Sequence, residues 1–118
     1  VNLFGRPAVL FLPASRNRAI ARARDSAAAL IFLDLEDAVA PADKAMARAA
    51  AVAAAAEGPW PAPVAIRVNG AASEWFEADC SAIASSRADL VIVPRVDGPD
   101  VIRRVMELTG KPVAAMIE

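Results

Sequence analysis

Histidine is absent from the 118-residue chain, and cysteine occurs once, at position 80. The first absence removes Ser-His and Cys-His nucleophile pairs and histidine-based zinc sites from consideration. The second excludes an internal disulfide, which fits a reducing cytoplasm. A strong charge of either sign is missing too. Thirteen basic residues against 14 acidic ones leave a net charge of −1, with no electrostatic pull toward nucleic acid or a membrane surface. Nor is there a long hydrophobic run. The apolar N-terminal stretch is interrupted by Pro7 and Pro13, is too short to span a bilayer, and runs into apparent structure without a cleavage-like site. These absences predict a soluble cytoplasmic protein. Its acid–base or metal chemistry must rest on carboxylates, with Lys and Arg as electrophilic helpers.

What is present is apolar material in short blocks. The chain is 57% hydrophobic, ample for one core at the common size of a single domain. Five runs stand out: "AVLFL" (8–12), "ALIFLDL" (29–35), "VAIRV" (64–68), "LVIV" (90–93) and "VAAMI" (113–117). Each is short and mostly non-alternating, the pattern of strands buried on both faces of a parallel sheet. Helical segments lie between them. Ser15 is a candidate N-cap for "RNRAIARARDSA", Pro41 opens "ADKAMARAAAVAAAAE", and Gly58-Pro59 stops it. "SEWFEADCSAIASS" follows, and "GPDVIRRVMELTG" begins at Gly98-Pro99 and closes at Gly110. The expected order is β-α-β-α-β-α-β-α-β without internal linkers. Parallel strands with right-handed crossovers follow from that order. Two architectures obey it: an open, doubly wound five-stranded sheet, or the first half of a (β/α)₈ barrel, which needs about 250 residues. Pattern alone favours the open sheet, because it requires no further sequence.

Either architecture binds ligands at the C-terminal ends of its strands, where polar residues recur. After the first strand come Ser15, Arg16 and Arg18; after the second, "DLEDAVAP" with Asp34, Glu36 and Asp37. The third ends in "IRVNG", with Arg67 and Asn69 expected on one face and Val68 on the other. The fourth ends in "VPRVDGPD" with Arg95 and Asp97, and the fifth run leads to Glu118. Ser15 reads first as a cap, and Arg16 and Arg18 as a solvated face or a ligand contact. Asp34 reads as a salt-bridge partner for a basic neighbour. Glu36 and Asp37 are too close to be comfortable without a cation, since like charges raise each other's pKa. Arg67, inside an apolar strand, requires an anionic partner, either the carboxylates of the second strand or a bound substrate carboxylate. Trp75 and Phe76 read as core, and Cys80, without a basic neighbour, as packing.

Taken together, "RPAVLFLPASRNR", "LIFLDLEDAVAPADKAMAR", "IRVNG", "EWFEADCSAI", "ADLVIVPRVDGPD" and "AAMIE" resemble the citrate lyase beta-chain family, the acyl-thioester lyases of the aldolase and citrate lyase group. The resemblance covers about residue 6 to residue 118. It implies a (β/α)₈ barrel of which this chain is the N-terminal half: a single partial domain, residues 1–118, truncated after strand five. It implies a Mg²⁺-dependent carbon–carbon lyase cleaving a 3-hydroxyacyl thioester such as citryl-CoA or its acyl-carrier form. By this resemblance Glu118 is a metal ligand and Arg67 grips the substrate carboxylate. Glu36 and Asp37 are the acidic pair beside the metal. Arg16 and Arg18 fall, more loosely, where the family meets CoA. Family members often carry "PKVE" where this chain has "PRVD" at 94–97, so Arg95 keeps the charge with a different geometry. A half barrel leaves sheet edges unpaired and predicts a homo-oligomer or association with a missing half. Two other readings stand beside this one: an open-sheet binding or signalling domain with "DLED" as a cation or phosphoacceptor pocket, and a non-catalytic subunit that keeps the lyase fold. The signalling reading is weakened because the nearby lysine, Lys111, precedes the last strand.

Overall fold

The computed structural model describes residues 10–13, 30–57, 60 and 62–116. Five strands form one parallel sheet: β1 (Leu10–Pro13), β2 (Ile31–Asp34), β3 (Val64–Arg67), β4 (Leu90–Val93) and β5 (Val113–Ala115). Among the described residues, a 3-10 turn, Pro41–Asp43, and three helices lie between them: α1 (Lys44–Ala56), α2 (Phe76–Ala84) and α3 (Pro99–Thr109). The helix expected to begin after Ser15 lies outside the described residues, as does the Gly58-Pro59 stop.

Local chemistry explains the boundaries. Pro41 sits at the first position of the 3-10 turn, where a missing N–H costs nothing. Gly98 is extended before Pro99 at the start of α3, and Gly110 ends that helix at φ 68°, its N–H donating to Met106 O. A residue with a Cβ would be strained in that left-handed cap. In α1, Ala47, Ala51, Ala54 and Ala55 are buried at helical spacing, so small side chains bring the helix backbone close to the sheet.

Strand order bears on the two architectures that the sequence pattern left open. The strands pair sequentially, β1-β2-β3-β4-β5, without the reversal that defines a doubly wound sheet. The two faces also differ. Ile31, Leu33, Val64, Ile66, Val91 and Val93 pack with Ala47, Ala51, Phe76, Cys80, Ile83 and Val105 of the three helices in one cluster. Phe32, Ala65 and Ile92 form a second cluster with Leu30, Leu90, Ala114 and Met116, and no described helix contributes to it. The described strands thus lack the order reversal of the doubly wound sheet that the pattern alone favours. Phe76 and Cys80 are core, as their sequence context predicts, and burial pushes the Cys80 thiol up to about 11.

Candidate functional site

The register of the sheet places Asp34 and Arg67 side by side, the last residues of adjacent strands β2 and β3. Both lie on the face opposite the helices, and both are buried. Arg67 Nε donates to Asp34 Oδ1 at 2.7 Å and Nη2 to Oδ2 at 2.9 Å. Asp34 also accepts the Glu36 N–H and the Ala38 N–H, each at 2.9 Å. Burial alone would raise this carboxyl, but the Arg67 guanidinium and the two backbone donors hold it below the ordinary aspartate range. The same partnership pushes Arg67 upward. The guanidinium also stacks over Phe32, 5.5 Å from the ring centroid. Its orientation is fixed before any ligand arrives.

The edge of Arg67 led by Nη1 faces the strand ends. Nη1 is 3.7 Å from Glu36 Oε1 and 3.5 Å from the Met116 thioether, a weak acceptor. Glu36 is buried, and among the described residues Oε1 has no hydrogen-bond partner. Its other oxygen, Oε2, accepts from Arg95 Nη1. Burial first, then the neighbouring Asp37 charge, push the Glu36 carboxyl up, and Arg95 and Arg67 offset this only in part. Asp37 is solvent-exposed and meets Arg95 Nη2 at 3.3 Å. The cation that this acidic pair demanded is therefore Arg95, arriving from the loop after β4.

A cleft of about 310 Å³ opens beside these groups, lined in part by Glu36, Asp37, Lys44, Asn69, Trp75 and Arg95. Lys44 is buried at the start of α1, where a cation opposes the helix dipole. It is held by donating to Leu35 O at 2.9 Å and Glu36 O at 2.7 Å, and it lies 5.1 Å from the Trp75 ring. Burial lowers its pKa. Trp75 is thus part of a cleft wall rather than core. Asn69 departs from the expected shared face with Arg67. The strand ends at Arg67, and beyond it the Asn69 N–H and Nδ2 both donate to Asp79 Oδ2 on α2, at 2.9 and 2.7 Å. Arg48 of α1 donates to the other Asp79 oxygen at 2.8 Å, so a buried carboxylate ties two helices to the loop after β3.

Of the residues singled out from the sequence, Glu36, Asp37 and Arg67 come together, with Asp37 joined through Arg95 rather than by touching Arg67. Arg16, Arg18 and Glu118 lie outside the described residues. Lys44 and Asp79 escaped the sequence reading. A lysine in the first turn of a helix was the available signal for the former. Among the described residues, no group of three or more His, Cys, Asp or Glu side chains is placed to hold a metal.

Residues 7–116 match the family of HpcH/HpaI aldolases and citrate lyases. The chain belongs to that family. It is 36% identical over 112 residues to a (3S)-malyl-CoA thioesterase of Cereibacter sphaeroides, covering 93% of this chain and 39% of that protein. Among solved structures it is similar to the Mycobacterium tuberculosis citrate lyase beta subunit complexed with oxaloacetate and magnesium. The identity there is 30% and the TM-score 0.74, over 100% of this chain and 50% of the other. A second structure, the M. tuberculosis protein CitE with magnesium, acetoacetate and coenzyme A, gives 29% identity and a TM-score of 0.74 over 98% of this chain and 41% of that one. The chain therefore spans about two fifths of the length of the curated relatives it matches. Family members are enzymes of lyase and thioesterase type.

Proposed function

We propose that this chain forms the N-terminal half of a (β/α)₈ barrel and carries part of the site of a Mg²⁺-dependent carbon–carbon lyase. Its substrate is a 3-hydroxyacyl thioester of the citryl-CoA kind, split into an oxaloacetate-like 2-oxoacid and an acetyl thioester. The observation that carries the reading is the Asp34-anchored Arg67 guanidinium, with its Nη1 edge beside Glu36 Oε1, which has no hydrogen-bond partner among the described residues. The sequential strand order and the one-sided helices support the barrel. Oxaloacetate, magnesium and coenzyme A in the two similar structures support the ligand classes.

In this reading Arg67 receives the substrate carboxylate on its Nη1 edge. Asp34 keeps the guanidinium charged and still, so binding involves little reorganisation. Cleavage removes the hydroxyl proton, breaks the bond between the hydroxyl-bearing carbon and the thioester's α-carbon, and leaves a thioester enolate that is then protonated. Glu36 Oε1 is an acceptor beside that chemistry. The residues fit a hard cation only in kind: a buried carboxylate oxygen without a hydrogen-bond partner is a donor that Mg²⁺ accepts. Glu118 would hold the ion directly and Glu36 through water. Bound there, Mg²⁺ would polarise the oxygen that becomes the ketone. Arg16 and Arg18 would meet the CoA portion.

The malyl-CoA thioesterase relatives favour a second reading, hydrolysis of the thioester with release of the thiol. One experiment separates the two. The intact gene product is given citryl, malyl and methylmalyl thioesters with and without Mg²⁺, and 2-oxoacid and free thiol are measured separately. Magnesium-dependent 2-oxoacid formation without thiol release supports the lyase. Thiol release alone would replace it with the hydrolase, and neither product would remove both readings.

A further inference from the structure

Arg95 is the one residue other than glycine, among those described, whose backbone adopts a positive φ, at 52°. A long side chain in the left-handed region is strained and persists only where its surroundings fix it. Here the fixing groups are the two carboxylates, reached across the mouth from the loop after β4 to the loop after β2. The span passes over Gly70, where a Cβ would stand 3.6 Å from Arg95 Nη1. As a surface ion pair with Asp37 the arrangement would contribute little, since both side chains are more than half exposed. The pair with Glu36 is different, because that side chain is only 7% exposed. Arg95 takes Oε2, and Oε1 is left turned toward Arg67.

Building on the lyase reading, we infer that Arg95 is a positioning residue: it clamps Glu36 by one oxygen so that the other stays presented, without a hydrogen bond, beside Arg67. The planar fork matters because its two Nη groups bridge separate carboxylates, which a lysine's point charge does not do in the same geometry. The backbone strain is the cost of aiming that fork.

The test uses the intact gene product and the variants R95G and R95K. Glycine relieves the strain and leaves room for a soluble guanidinium ion, so folding and positioning separate. A misplaced Glu36 lowers kcat about tenfold or more in R95G, with KM changed less than about threefold and the melting temperature held. R95K falls between R95G and the parent. Added guanidinium ion, at concentrations well below those that unfold the protein, restores part of the R95G activity, and urea at the same concentration does not. A crystal structure of R95G shows Glu36 Oε1 withdrawn from its 3.7 Å approach to Arg67 Nη1. A kcat within about twofold of the parent, or Glu36 unmoved in the variant, overturns the inference. If the parent itself cleaves no thioester, the lyase reading fails separately, and the crystal structure still decides the clamp.

Discussion

Asp34 and Glu36 are two buried carboxylates two positions apart, and their surroundings push them in opposite directions. Asp34 is held below the ordinary aspartate range and Glu36 above the ordinary glutamate range. Burial opposes ionisation at both, so burial does not account for the difference. Donors do. Asp34 accepts two guanidinium bonds and two backbone N–H bonds. Glu36 accepts from Arg95 through one oxygen, and its other oxygen has no hydrogen bond among the described residues. One carboxylate is finished as structure. The other keeps unsatisfied capacity at the C-terminal ends of the strands, where parallel α/β folds generally bind ligands, and such a division of labour suits a site built on a rigid support.

Removing the finished partner breaks the contrast most severely. Asp34→Ala leaves Arg67 buried without its anchor, and the expected loss is roughly 3–5 kcal/mol, read by urea denaturation. Arg67→Ala, in the intact protein, loses activity by orders of magnitude as well as stability; near-normal turnover would remove it from the mechanism. The sign of the pH dependence follows from the lowered pKa. The Asp34 contribution is fully present above the ordinary aspartate value of 3.8 and is lost as pH falls through the lower native value. The stability difference between parent and Asp34→Asn therefore narrows in acid. A difference that grew on acidification would contradict the anchored pair.

Much of this arrangement was legible in the sequence, because runs such as "LVIV" and stops such as Gly110 act locally. The need for a partner at Arg67 was legible as well, since a guanidinium in an apolar strand has few alternatives. Which carboxylate it takes was not. That choice depends on the register pairing Asp34 with Arg67, a property of two strands and the crossover between them. Arg95 illustrates a deeper limit. Its reach to Glu36 depends on a backbone conformation that arginine seldom adopts, and local propensity argues against it. Strand order was equally hidden, because β-α alternation is common to sheets that reverse and sheets that do not.

Lys44 sharpens the comparison at an intermediate level, for it supports the loop that carries Glu36 without touching either carboxylate by a hydrogen bond. Lys44→Met keeps much of the side-chain volume and removes the donors to Leu35 O and Glu36 O. The expected cost is about 1–3 kcal/mol for leaving those carbonyls short of a donor. Hydrogen exchange of residues 34–38 should accelerate before that of the strands. Uniform acceleration across the sheet would mean that Lys44 supports the fold generally rather than this loop.

The smallest effect concerns Glu36 itself, and its sign is the informative part. A carboxyl whose pKa is raised in the native state costs stability when ionised. That penalty enters as pH rises from the ordinary glutamate value of 4.5 through the higher native value, and it is complete above both. Glu36→Gln removes the charge and keeps the shape, while half-exposed Arg95 turns to water and keeps Asp37. The variant should melt at a higher temperature than the parent near neutral pH, and the two curves should meet below the glutamate value. On the proposed lyase reading, activity should fall in the same variant, because that reading presents the oxygen left without a hydrogen bond to the substrate. A variant both less stable at neutral pH and fully active would reverse the assignment: Glu36 would then be the structural carboxylate, and the contrast with Asp34 would vanish.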